Sequence, residues 1–274
     1  MYTFIKLGGS VITDKAGREA ADLPLIARLA AEIAQAHRET PDRGLIIGHG
    51  SGSFGHHYAA RYGVHRGIPQ GESYIGFALT AGAALRLNRI VVDALLDAGL
   101  PALSLQPSAA LRASGGEIAT WETANIGEAL RRGLVPVIHG DVAFDATQGS
   151  AIISTEALLA YLAEQTELRP SRVILVGEDA VYTADPRANP AAKRVPLITA
   201  ENLAAVLGGA SGSHAVDVTG GMRSKLALMW RLVQRIPGLE VRLIGPAPGN
   251  LAAVLRNDPI DTGTIIRHEH PHAP

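Results

Sequence analysis

Cysteine is absent from the 274 residues, which excludes disulfides, thiolate metal sites and thiol nucleophiles, and with them zinc-finger architectures. The absence suits a reducing cytoplasm, the expected location. Charge of one sign is also missing: 25 Lys plus Arg face 26 Asp plus Glu, a formal net charge of -1. No global field is available to grip nucleic acid, so any anion binding must be local. Long apolar runs are lacking too. GLIIG at Gly44 and RVILVG at Arg172 fall far short of the roughly 20 residues that cross a bilayer. The start MYTFIKLGGSVITDK has no basic n-region, long h-region or cleavage site of a signal peptide, so no export or membrane partner is expected. No G-K-[ST] occurs, which excludes a Walker loop, and no repeat or low-complexity tract is visible.

What is present is a folded chain, 47% apolar and 19% charged, outside the range of long disorder. Short β-rich runs each end in glycine: Phe4-Ile5 before Gly8, Leu45-Ile47 before Gly48, Val135-Ile138 before Gly140, Val173-Val176 before Gly177, Val241-Ile244 before Gly245. Between them lie helical patterns, one with Leu25, Leu29 and Ile33, the longest from Glu72 to Ala98. The alternation predicts an α/β protein whose mostly parallel sheet carries helices on both faces. Ligands in such folds bind beyond the carboxyl ends of the strands, where these glycines fall. A polar stretch from Glu164 to Ser171 suggests two lobes, 1–166 and 167–274, within one domain. Three histidines in the tail, His268, His270 and His272, read as a frayed terminus and receive no role.

Four segments could carry chemistry. Lys6, Gly8, Gly9 and Ser10 close the first strand, with Lys15 following; glycines there let backbone N–H groups approach an anion beside fixed positive charge. The same residues equally describe a tight turn with a solvated lysine. Gly50-Ser51-Gly52-Ser53-Phe54-Gly55 satisfies G-x-G-x-x-G, but Glu72 opens a helix where a dinucleotide fold needs an acidic residue after a second strand. The loop still suits an anion. His56 and His57 follow where it should pass into helix, whose N-terminus favours phosphate. Gly220 and Gly221 precede Lys225 and an apolar helical stretch, placing that lysine to reach β- and γ-phosphates. In the segment from Asp179 through Tyr182 to Asp185, Asp185-Pro186 by default starts a turn.

In this order, K-L-G-G-S at Lys6, G-S-F-G-H at Gly52, H-G-D-V at His139, V-Y-x-x-D-P at Val181 and V-T-G-G-M at Val218 resemble the amino acid kinase superfamily, and within it the isopentenyl phosphate kinases. The segment Asn88-Val92 through Leu105-Ser108 is similar to that branch more than to its amino-acid-phosphorylating relatives. The resemblance implies an open αβα sandwich. Its amino-terminal lobe would hold the acceptor and form a homodimer, and its carboxyl-terminal lobe would hold ATP. It implies that Lys6 and Lys15 neutralise the transferring phosphoryl group, Lys225 the nucleotide phosphates, and His56 the acceptor phosphate. Gly8, Gly9, Ser10, Gly50, Ser51, Gly52, Gly55 and Gly140 would complete the cradle. Asp179, Tyr182, Asp185, Gly220 and Gly221 would border the nucleotide, with Mg²⁺ carried mainly by phosphates and water rather than by protein ligands.

A phosphate monoester has a second pKa of about 6, so such an acceptor is already a nucleophilic anion and needs no general base. It needs relief of anion–anion repulsion, which lysines, a histidine and loop amides can supply. The acceptor's apolar tail would meet the start of the long helix, where Tyr74, Ile75, Phe77, Ala78 and Leu79 cluster. Three positions depart from the family pattern. Ser51 interrupts a glycine-only loop, Glu156 in Ser154-Thr155-Glu156 stands for an aspartate that orients the lysines, and Val176-Gly177-Glu178-Asp179-Ala180 lacks one carboxylate near the nucleotide. A fosfomycin-type phosphonate kinase and a non-catalytic small-molecule-binding member of the superfamily are the alternative readings.

Overall fold

The structure is a computed structural model that describes residues 1–14, 17–186, 188–209 and 221–269. Lys15, Gly220, His270 and His272 lie outside the described residues. In chain order the strands are β1 (Tyr2–Leu7), β2 (Gly44–His49), β3 (Ala102–Ser104), β4 (Leu111–Ser114), β5 (Glu117–Trp121), β6 (Val135–His139), β7 (Asp141–Asp145), β8 (Gly149–Ile153), β9 (Pro170–Val176), β10 (Val181–Tyr182), β11 (Arg194–Val195), β12 (Leu197–Ile198), β13 (Glu240–Ile244) and β14 (Thr264–Arg267). The helices are α1 (Gly9–Ile12), α2 (Leu23–Glu39), α3 (Gly52–Tyr62), α4 (Ile75–Asp97), α5 (Ala124–Arg131), α6 (Thr155–Glu164), α7 (Leu203–Gly209), α8 (Gly221–Arg235) and α9 (Asn250–Arg256).

The main sheet has eight strands in the order β12-β14-β13-β9-β1-β2-β6-β3. Its pairings are parallel apart from β13 against β14. Strand β1 sits at its centre, paired to β2 on one side and to β9 on the other. Strands buried on both faces read as apolar runs, and period-2 alternation sends Ile5 and Leu7 into one core and Phe4 into the other. The first core joins the sheet to α2, α3, α4 and α9; the second joins it to α5, α6 and α8. The predicted αβα sandwich is therefore observed. Smaller sheets, β5-β4-β7-β8 and β10-β11, flank it.

Local chemistry explains the helix limits. Asp22 caps α2 by accepting the Leu25 N–H at 3.0 Å, and Ser154 caps α6 by accepting from Ala157 at 3.1 Å. Helix α4 starts at Ile75 rather than at the predicted Glu72, because Gly71 adopts φ +88° and the Glu72 N–H closes a turn on Pro69. Its buried residues Phe77, Thr80, Ala84, Leu87, Val91 and Leu95 follow helical spacing onto the sheet and α2. By length and composition α4 could cross a membrane, which the search for uninterrupted apolar runs passed over, yet half of it is buried inside this fold.

Candidate active site

The carboxyl ends of β1, β2, β6 and β9 converge, and the chain there consists of glycine loops too close together for side chains. The Gly8 N–H donates to Val176 O at 2.8 Å, and Gly50 N–H to Leu7 O at 3.0 Å. A Cβ on Gly9 would stand 2.5 Å from the Gly52 nitrogen, and one on Gly50 would stand 2.8 Å from the Gly9 nitrogen. Gly52 has φ +50°, and a Cβ there would lie 2.2 Å from Thr13 Oγ1. Thr13 ties the loops by donating to Gly9 O at 2.7 Å and accepting the Ser53 N–H at 3.0 Å. The first two predicted loops are thus one interlocked surface whose backbone amides lie at the edge of the sheet. Ser51 keeps φ at -78°, so the departure from glycine there carries no backbone strain.

Charge enters from the opposite face. Lys6 points from β1 toward α6, and its Nζ lies 2.9 Å from Glu156 Oε1. Lys225, in the second turn of α8, reaches the same oxygen at 3.8 Å. Burial alone pushes the Glu156 carboxyl up, but the two ammonium groups and the Lys6 hydrogen bond outweigh it and hold the group below the ordinary carboxylate range. Glu156 is therefore an anion that orients both lysines, the role expected of the family's aspartate. A cavity of about 360 Å³ opens beside this triad between α6, α8 and the β4–β5 hairpin, lined among others by Tyr161, Leu228 and Arg231. None of the described glycine-loop residues lines it.

His56 and His57 are exposed on α3. The helix already begins at Gly52, so His56 stands in its second turn rather than at the passage from loop to helix. The chain before α3 folds back across it: Ala20 N–H donates to Ser53 Oγ, Arg18 to the Tyr58 hydroxyl at 2.6 Å, and Arg86 of α4 grips Glu19 with two hydrogen bonds of 2.6 and 2.7 Å. At the far end of α3, Tyr62 packs against Gly76 so closely that a Cβ there would meet it at 2.3 Å. Tyr74 and Phe77 follow, their ring centroids 5.7 Å apart, and Phe144 of β7 stacks on Phe77 at 4.7 Å. Tyr62, which this group adjoins, stands about 9 Å along the α3 axis from His56, at 1.5 Å per residue. Phe144 was not anticipated: strand β7 is a short hairpin arm that only its packing on α4 brings to this place.

Asp179, Tyr182 and Asp185 follow the carboxyl end of β9, with β10 fixed by the Val181 N–H donating to Thr264 Oγ1 at 2.8 Å. Gly221 opens α8 with φ +68°. Gly140 joins the loops after β2, its N–H donating to His49 O at 3.0 Å beside Thr155. Below these loops lie polar groups that sequence reasoning passed over. His49 and His139 occupy matching positions on adjacent parallel strands, fully buried and stacked with centroids 5.6 Å apart. Burial pushes the His49 imidazole down to about 3, helped by His139, and the His139 imidazole down to about 4. Asp141, 3.6 Å from His139, is pushed up by burial against hydrogen bonds from Ser108, Val142 and Gln106. The available signal was a histidine ending each of two apolar strands immediately before glycine.

A family model described as "Amino acid kinase family" matches residues 1–244. The chain belongs to the amino acid kinase family. It is 38% identical to an isopentenyl phosphate kinase of Methanothermobacter thermautotrophicus, over 97% of this chain and 99% of that protein. It is 34% identical to an isopentenyl phosphate kinase of Methanocaldococcus jannaschii, over 84% and 86%. A solved structure described as an isopentenyl phosphate kinase superposes with a TM-score of 0.82 at 36% identity, covering 97% of this chain and all of that one. These likenesses place the chain on the isopentenyl phosphate kinase branch of the family.

Proposed function

We propose that this chain transfers the γ-phosphoryl group of ATP to isopentenyl phosphate, forming isopentenyl diphosphate. The observation that carries the reading is the triad: two lysines from opposite lobes share the buried carboxylate of Glu156 beside interlocked glycine loops. Such an arrangement relieves repulsion between two phosphates without a general base, which a phosphorylated acceptor does not need. In this reading Lys6 and Lys15 neutralise the transferring group, Lys225 the nucleotide phosphates, and His56 with Gly50, Ser51, Gly52 and Gly55 receives the acceptor phosphate. Residues 1–166 serve the acceptor and 167–274 the nucleotide, with Asp179, Tyr182 and Asp185 at its border.

In the same reading the aromatic group of Tyr74, Phe77 and Phe144, beyond the far end of α3, would supply an apolar wall for a short isoprenoid tail. Mg²⁺ would neutralise charge on the phosphates and, in this reading, is carried mainly by phosphate and water ligands. The same reading makes the enzyme a cytoplasmic homodimer.

With Mg-ATP, the purified protein is expected to phosphorylate isopentenyl phosphate far faster than fosfomycin, glutamate analogues or UMP in a competition assay. Preference for any other acceptor overturns the assignment. His56→Ala should lower turnover by orders of magnitude while calorimetric ATP binding stays nearly intact, and unchanged turnover would remove His56 from the mechanism.

A further inference from the structure

The buried histidine beneath the acceptor loop is held in one protonation and one orientation by a chain of hydrogen bonds. His49 Nδ1 lies 3.1 Å from Gly50 O, and its Nε2 lies 3.1 Å from the Asn88 side-chain nitrogen. Ser104 Oγ completes the chain by donating to Asn88 Oδ1. A carbonyl oxygen can only accept and an amide NH₂ can only donate. His49 must therefore carry its proton on Nδ1, give it to Gly50 O, and accept from Asn88 at Nε2. The ring's complete burial keeps it neutral, so the direction of the chain does not reverse near neutral pH.

The consequence falls on the next peptide. In a trans peptide the C=O of one residue and the N–H of the next point to opposite sides. With the Gly50 carbonyl drawn down onto the buried imidazole, the Ser51 N–H is turned up, toward the open side of the glycine loop. We propose that His49 is a positioning residue, held by Asn88 and Ser104, that fixes the Gly50–Ser51 peptide so that the Ser51 N–H is presented to the acceptor's phosphate. The inference rests on the proposed function in taking this loop as the acceptor site. Glycine at position 50 would otherwise leave that peptide free to rotate.

Two substitutions separate orientation from packing. An asparagine places its NH₂ near the imidazole Nδ1 and can still donate to Gly50 O. A glutamine places its amide near Nε2, keeping a partner for Asn88 and losing the carbonyl contact. His49→Gln is expected to raise KM for isopentenyl phosphate at least about tenfold with KM for ATP within about twofold, matching the loss of one hydrogen bond to a charged group. His49→Asn should keep the acceptor KM within about threefold of wild type. Equal acceptor KM values for the two variants at similar Tm, or equal shifts in acceptor and ATP KM, overturn the proposal. Imidazole ¹⁵N spectra of the wild-type protein give an arm independent of turnover, in which a neutral Nδ1–H ring supports the proposal and a charged or Nε2–H ring defeats it. Wild-type protein inactive on isopentenyl phosphate would refute the functional reading while the spectra still decide the tautomer.

Discussion

The two sides of the candidate site, the loops at the sheet edge and the face under α6, are built by different physical means. Toward β2 and β6 the site is built from backbone: Gly9, Gly50 and Gly52 interlock within side-chain distance, and the polar groups beneath them, His49 and His139, are buried and neutral. On the face that α6 and α8 cover it is built from full charges, Lys6 and Lys225 around Glu156. The first arrangement is selective through shape, because rigid amides are satisfied only by oxygens in the right places. The second is strong through Coulomb attraction and less demanding in geometry, as the unequal 2.9 and 3.8 Å contacts of the two lysines illustrate. A transferring phosphoryl group carries shifting charge and would sit on the second side; the acceptor phosphate, which must be aimed, would sit on the first.

Breaking each side should give different signatures. The largest effect is expected from Lys6→Met, which removes a positive charge from the reacting centre: kcat should fall roughly 10²–10³-fold in steady-state assays, with little change in acceptor KM. If acceptor KM rises instead while kcat holds, the division of labour is wrong. On the backbone side, Gly52→Ala forces a Cβ to within 2.2 Å of Thr13 Oγ1 at a positive φ. It should abolish measurable acceptor binding and lower stability in urea melts by at least about 2 kcal/mol. Gly63→Ala is the control, since Gly63 also has positive φ but nothing lies within 4 Å of its Cβ position. There about 1 kcal/mol of stability should be lost with kinetics unchanged. Equal losses at the two glycines would show that backbone strain, not the interlocked contact, dominates at Gly52.

The smallest effects are in pH dependence, and the two sides have separate windows. His49 and His139 have folded pKa values of about 3 and about 4, below the unfolded value of about 6.5. Their contribution is complete above pH 6.5 and drains as pH falls toward the folded values, at up to about 1.4 kcal/mol per pH unit for each ring. Glu156 is also depressed, relative to an unfolded carboxylate near 4.3, so its contribution stays full until that lower pH and is lost as pH falls through its folded value. Urea melts from pH 7 to 3 should therefore steepen first through the histidines. Glu156→Gln should cost about 3 kcal/mol at pH 7, the lower end for breaking a buried pair, and should flatten only the most acidic part of the curve. A variant curve parallel to wild type below pH 4.5 would show that Glu156 is not the titrating group.

Much of this was legible in the chain. The glycine-ended strands β1, β2, β6, β9 and β13 were all anticipated, because strands buried on both faces are continuous apolar runs and the turn at their carboxyl ends leaves glycine behind. Lys6, Lys225 and the loops at Gly8 and Gly50 were named as candidates, and Glu156 was expected to orient lysines. Strands β3, β4, β7 and β8 were not read, since three to five residues without a repeating pattern carry little periodic signal, and with β7 Phe144 was missed. The start of the long helix was placed early because the turn at Pro69–Glu72 competes with helical spacing there.

By itself, then, the sequence determined the α/β class, the edge of the sheet where a ligand must sit, and the residue types that could meet a phosphate, because these depend on local pattern and side-chain chemistry. Tertiary structure alone decided which of them meet. Lys6 and Glu156 are 150 residues apart and share a hydrogen bond only because β1 and α6 pack face to face. His49, Asn88 and Ser104 become one directed chain only because β2, α4 and β3 pack together. Contacts between distant segments, and the protonation that burial imposes on them, are properties of packing and have no signature along the chain.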